Sequence, residues 1–303
     1  HPLCDSFFAA ASALGLGRTN DLNGAQGEGV GIYPIHTRGG LRESTATAYL
    51  HPVRHRPNLT VHTHAQATRL LLQGRRATGV AYLQDGTLRE AQARCAVVLC
   101  AGAIHSPQLL QLSGIGDAGH LQALGIPPVL HAPAVGEGLQ DHLHITHVYR
   151  ARVPTLNDAL HPWHAKLRAG LRYLLWRTGP LSMSVNQAGG FVRWGAPGAD
   201  RPHIQLYFNP ASYTTQPAEG RRMMNTDPFL GFSLSAHACR PTSRGRIRIT
   251  RPDPRVAPAI TPNYLATAYD QTQALLCARL LRALAAAEPL RGLIAEELLP
   301  GGQ

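Results

Sequence analysis

The stretch VVLCAGAIHSPQLLQLSGIG, residues 97–116, spells a buried strand, a glycine turn and a capped helix in immediate succession. Residues 95–100 form a short apolar, β-branched run of the kind buried in a parallel sheet. Ala101 and Gly102 then remove side-chain bulk where another body could approach the backbone. Ser106 is a preferred N-cap and Pro107 suits the first helical position, which predicts a helix over 107–113 that stops at Gly114. The positive end of that helix faces the turn, an arrangement that can cradle a cofactor.

Working outward from this stretch, residues 59–69, 77–82 and 88–99 read as three strands broken at Gly74 and at Asp85-Gly86, a β-meander returning to a sheet. Residues 3–14 have helical apolar spacing, 20–31 form a glycine-rich loop with an Asn23-Gly24 turn, and 44–50 read as a short helix. Gly114, Gly116 and Gly119 spell GxGxxG, but a helix precedes them where a dinucleotide fingerprint needs a strand, so they read as a helix stop and turn. From residue 151 prolines punctuate shorter segments and a second domain begins. Helical spacing covers 163–177, while 204–208, 231–238 and 245–250 alternate or carry β-branched residues, predicting an antiparallel sheet with flanking helices. After a proline-rich connector at 252–262, a long helix runs from about 266 to 287 with Leu275, Leu276, Leu280, Leu281 and Leu284 on its apolar face.

Residues 102–116, GAIHSPQLLQLSGIG, resemble the second signature of the glucose-methanol-choline (GMC) oxidoreductases. RGGLRESTATAYL at 38–50, VGEGLQDH at 135–142, GPLSMSVNQAGGF at 179–191 and CRPTSRG at 239–245 resemble further blocks of that family in the family's order. The neighbouring text is similar to its choline-dehydrogenase-like, FAD-dependent alcohol dehydrogenases. The resemblance implies an α/β (α+β) protein: a partial FAD-binding, Rossmann-like domain with its β-meander over 1–150, a substrate-binding domain of antiparallel sheet flanked by helices over 151–262, and a long helix starting the return to the FAD domain over 263–303. It implies FAD contacts at Ala67, Ala101 and Gly102, with Asp141 and His142 near the cofactor and Asn186 and Gln187 on the substrate wall. Ala67 stands where the family usually has valine, a change that a backbone contact to the adenine tolerates. Gly138 stands where the family usually has asparagine, so no polar contact is carried over there.

The implied reaction oxidises an alcohol to an aldehyde or ketone, with hydride passed to flavin and then electrons to oxygen or another acceptor. The family's opening dinucleotide fingerprint and closing catalytic histidine segment have no match here, so the text reads as an internal piece whose flanking segments belong to the same enzyme. No catalytic residue is assigned. The alternative reading is a truncated, non-catalytic remnant, because without the phosphate-binding strand, turn and helix the pyrophosphate loses its backbone contacts and tight FAD binding by this piece alone is not expected.

Composition narrows the remaining classes. The net charge of +11 comes from 29 lysines and arginines, mostly arginine and scattered, against 18 acids, with no recognised nucleic-acid module. No apolar run is long enough to span a bilayer, which predicts a soluble globular protein. Five cysteines with no CxxC pair argue against a disulfide framework or zinc ribbon and fit a reducing compartment, the cytoplasm. Strand alternation would put His142 and His144 on one face, and likewise His62 and His64, but neither pair has a third ligand at clear spacing even with His147 nearby, so no metal site is assigned. The His-Pro pairs at His1, His51 and His161 are not assigned as catalytic, because adjacency to proline alone has no mechanistic weight, and no G-x-S-x-G elbow follows a strand.

Overall fold

The computed structural model describes residues 1–25, 27–196, 198–213 and 226–301; Gln26 of the glycine-rich loop lies outside the described residues. The chain folds as two compact units that interleave along the sequence, one of residues 1–52, 142–240 and 271–303, the other of 53–141 and 241–270.

The first unit is built on a six-stranded antiparallel sheet in the order Gly29–Ile32, Ala188–Val192, Ile204–Asn209, Gly231–Ala238, Ile145–Ala151, Ile294–Leu299. Alternation decides its two faces. Ile204, Leu206 and Phe208 are fully buried, and the register sets Leu206 beside Ala236 and Phe208 beside Leu234, while Gln205 and Tyr207 project to the opposite face beside His237 and Ser235. The apolar face is covered by the helix Leu3–Ala13, through Leu3, Cys4, Phe7 and Phe8, and by Cys277, Leu280, Leu281 and Leu284 of the helix Ala268–Ala286. Phe7 stacks on Phe208 with centroids 5.1 Å apart. Burying each such side chain stabilises the fold by about 1.5–3 kcal/mol. Leu275, expected on the buried face of the long helix, is 59 % exposed; the helix turns a narrower stripe to the core than its leucine content predicts.

In the second unit, Ala65–Gln73, Arg76–Gln84 and Thr87–Gln92 form the predicted meander. Its turns fall at Gly74 and Asp85-Gly86, where φ is positive at all three residues, the backbone that a tight hairpin needs. The outer strands are shorter than predicted. The first begins at Ala65, because His64 takes a left-handed φ of 54° that breaks the alternation, and so His62 and His64 do not share a strand face. A separate three-stranded sheet joins Ala259–Thr261, Gly245–Arg248 and Glu137–Leu139. The strand predicted over 245–250 belongs to this small sheet and not to the large antiparallel one, since its ladder partners come from either side of it in this unit.

Two expectations for the opening stretch are corrected. Residues 95–100 are not a buried strand: they make no strand ladder, Cys95 and Cys100 are exposed, and Val98 is 78 % exposed. A β-branched run becomes a strand only where another strand satisfies its N–H and C=O groups, and none of the described strands lies beside it. The following helix is Gly102–Leu112, starting five residues before Pro107. Proline there removes one amide donor near the helix start, and Ser106 caps from inside the helix, its Oγ accepting from Ala101 N at 3.1 Å. The predicted stop holds: Gly114 has φ +81° and a side chain there would meet Pro127 O at 2.6 Å.

Candidate functional site

Ala67 and Ala101, 34 residues apart in sequence, line one cleft of about 330 Å³ together with Ala65, Gln66, His105, Gln108 and Pro254. That is the lower end of the range of small-molecule sites, about 300–1,000 Å³. The start of the strand Ala65–Gln73 supplies one wall and the N-terminal half of the helix Gly102–Leu112 another. The helix is fixed by side chains that satisfy backbone groups. Gln111 donates through Nε2 to Ile247 O at 3.0 Å and accepts at Oε1 from Ile249 N at 3.1 Å. Ser113 Oγ accepts from Leu70 N at 2.8 Å and donates to Leu109 O at 2.6 Å. Gln108 donates to Val256 O at 3.0 Å, leaving its Oε1 to accept from His105 Nδ1 at 2.8 Å, so that ring nitrogen carries a proton.

Gly102 has φ +81°, and a Cβ built on it would meet nothing within 4 Å. The backbone therefore takes a glycine conformation without any crowding from the protein to require it, next in sequence to Ala101, which lines the cleft with Ala65 and Ala67. Small residues and an open helix N-terminus fit the close backbone approach of an extended, anionic cofactor such as FAD.

Asp141 and His142, adjacent in sequence, fall in different units. Asp141 Oδ2 accepts from the Tyr264 hydroxyl, and that hydrogen bond raises the phenol above its ordinary range. His142 donates from Nε2 to Cys239 O at 3.2 Å and stacks on His237 with centroids 4.0 Å apart. Asn186 is exposed. Gln187 is buried, and its Oε1 accepts from the backbone nitrogen of His1 at 2.8 Å and from Cys4 Sγ at 3.8 Å, so its side chain serves the N-terminal helix.

The polar face of the large sheet carries groups that motif matching missed. His237 donates from Nδ1 to Ala238 O at 2.9 Å, which leaves Nε2 to accept from the Tyr207 hydroxyl at 3.3 Å. The His144 ring lies 4.5 Å from that of His237 and 5.2 Å from that of Tyr207. Tyr33 stacks on Tyr207 at 5.5 Å, donates to Leu206 O at 2.7 Å and accepts from Gln205 Nε2 at 3.2 Å. Burial pushes both phenols above their ordinary range, which keeps them neutral donors. The result is a wall of neutral phenol hydroxyls and imidazole rings able to orient a hydroxyl. Its sequence signal was the polar half of the alternation in 204–209 and 231–238. His147 belongs to the opposite face, buried, with Nδ1 3.1 Å from Tyr149 Oη and its basicity lowered by burial. Among the described residues no three histidine, cysteine, aspartate or glutamate side chains are placed to hold a metal ion.

One unit thus carries a small-residue cleft at a helix start, and the other an antiparallel sheet with one polar face. Models of the GMC oxidoreductase family match residues 1–144 and 241–303, and the chain belongs to that family. It is 39 % identical over 302 residues to the mitochondrial choline dehydrogenase of Mus musculus, covering 99 % of this chain and 49 % of that one. It is 40 % identical over 310 residues to the oxygen-dependent choline dehydrogenase of Yersinia pestis (strain Pestoides F), covering 99 % and 52 %. The chain thus spans about half the length of the curated relatives it matches. Among solved structures, pyridoxine 4-oxidase from Mesorbium loti superposes with a TM-score of 0.81 at 29 % identity over 100 % of this chain and 54 % of that one. A formate oxidase shares the fold, with a TM-score of 0.84 at 21 % identity over 98 % and 55 %.

Proposed function

We propose that the chain is part of an FAD-dependent oxidoreductase acting on CH–OH groups, which oxidises a small alcohol to an aldehyde or ketone. The observation that carries this reading is the convergence of Ala67 and Ala101 on one cleft, next to a glycine whose left-handed backbone is open to approach. Ala67, Ala101 and Gly102 would hold the cofactor through backbone groups, with Asp141 and His142 contributing nearby. Bound FAD supplies the acceptor for the hydride. Tyr207 and His237 would orient the substrate hydroxyl, Asn186 offers an exposed amide to it, and Gln187 fixes the entry to the strand Ala188–Val192. The choline dehydrogenase and pyridoxine 4-oxidase relatives support a small alcohol as substrate. Five cysteines, none of them bridged, support a reducing compartment, and we place the protein in the cytoplasm.

A second reading is favoured by the exposed, unpaired run at 95–100: the chain by itself binds FAD too weakly to be active. One experiment separates the two. The 303-residue chain is incubated with FAD, freed of unbound cofactor and its absorbance recorded. A retained flavin band that bleaches on adding an alcohol supports the first reading; a colourless protein assigns the second.

A further inference from the structure

The helix Trp163–Trp176, WHAKLRAGLRYLLW, packs on its own unit with its smallest residues. Ala165 and Ala169 are buried, whereas every large aliphatic side chain of the helix faces outward: Leu167, Leu171, Leu174 and Leu175 are between 49 % and 66 % exposed. This inverts the ordinary surface helix, whose leucines face the core. At roughly 100° per residue, Leu167 and Leu174 lie about opposite Ala165, so the leucines form one continuous stripe pointing away from the body. Trp163 and Trp176 stand at the two ends of the helix, 77 % and 67 % exposed.

The charges flank that stripe. On the same wheel Lys166 falls on one side, with Arg177 in the left-handed cap beyond it, and Arg168 and Arg172 fall on the other. No aspartate or glutamate occurs between residues 159 and 199. An apolar stripe bordered on both sides by cations, with Trp163 beside Leu174 at its N-terminal end, matches a surface that lies in the headgroup layer of a bilayer: leucines enter the acyl boundary, Trp163 sits at the interface, and the long basic side chains reach back to lipid phosphates. A second copy of the chain does not suit this face, since the same cations would be set against one another. No helix of the described chain is long and apolar enough to cross a membrane, so the contact would be peripheral.

We propose that the helix Trp163–Trp176 docks the protein on an anionic lipid surface. The test uses the 303-residue chain with vesicles of phosphatidylcholine alone or mixed with phosphatidylserine, followed by co-sedimentation and tryptophan emission. Each basic residue near an anionic surface strengthens binding by about fivefold, so the mixed vesicles are expected to bind at least about a hundredfold more tightly than the neutral ones, with a blue shift in emission. The pair Leu171→Glu and Leu175→Glu, at exposed positions, is expected to abolish binding with an unchanged circular dichroism spectrum, and Lys166→Glu with Arg168→Glu to remove the preference for anionic lipid. Absence of binding, equal binding to both vesicle types, or undiminished binding of the leucine variant would each overturn the proposal. So would a dimer in solution that the leucine variant converts to monomer without any vesicle binding by the parent. Should the leucine variant misfold, the emission shift of the unaltered chain still decides.

Discussion

Two apolar runs of similar character meet opposite fates. The strand Ile204–Asn209 has ladder partners on both edges, with Ile204, Leu206 and Phe208 fully buried under the N-terminal helix. Residues 95–100, richer in valine, make no strand ladder, with Val97 and Leu99 half-buried and Val98 exposed. Both runs carry strand-favouring residues, Ile204, Tyr207 and Phe208 in the first and Val97 and Val98 in the second, but only the first meets partners: a strand is stabilised by what its edges and face meet.

The strongest way to break that comparison is in the buried run. Phe208→Ala is expected to cost about 3–5 kcal/mol through lost burial and a residual cavity. All three tryptophans lie in the same unit, so denaturant unfolding followed by their fluorescence reads the loss there. A cost below that of an ordinary surface change would refute the assignment of Phe208 to the core.

The segment after the exposed run is held by polar anchors. Gln111→Leu removes two buried hydrogen bonds and leaves Ile249 N and Ile247 O unpaired, with an expected cost of about 2–3 kcal/mol. Amide exchange at Ile249 should speed up accordingly, and slow exchange would show that the helix is pinned by something else.

Asp270 anchors the same unit and sets a pH dependence. Burial alone would raise its carboxyl, but hydrogen bonds from Ser243 and Thr242 outweigh burial and hold it at about 2. An unfolded aspartate titrates near about 4. The stabilisation is therefore complete above about pH 4 and is lost as pH falls toward about 2. Acid titration of stability should lose part of its slope in Asp270→Asn; an identical profile would remove Asp270 from the account.

The smallest effect is expected in the exposed run, where Val98→Thr should change stability by less than about 0.5 kcal/mol. A loss comparable to that of a core residue would mean that residues 95–100 are buried in solution, and the contrast with Ile204–Asn209 would disappear.

Much of the molecule was legible in local sequence. The helix Leu3–Ala13, the meander turns at Gly74 and Asp85-Gly86, the stop at Gly114 and the alternation of 204–208 and 231–238 are short-range patterns, set by φ preferences and by period. The family signature likewise marked Ala67 and Ala101, which the fold then joined in one cleft. The pairing of Tyr207 with His237, the inward use of Gln187 and the division of Asp141 from His142 were not legible, because each depends on register between segments distant in sequence.

The sequence by itself determined the local elements and the family, since periodicity, turn residues and signature blocks act over a few residues at a time. Only the tertiary structure decided which apolar segments are covered. It placed residues 95–100 and the leucines of Trp163–Trp176 at the surface and those of 204–208 inside, because burial is a property of the partner that a segment meets and hydrophobicity alone does not supply that partner.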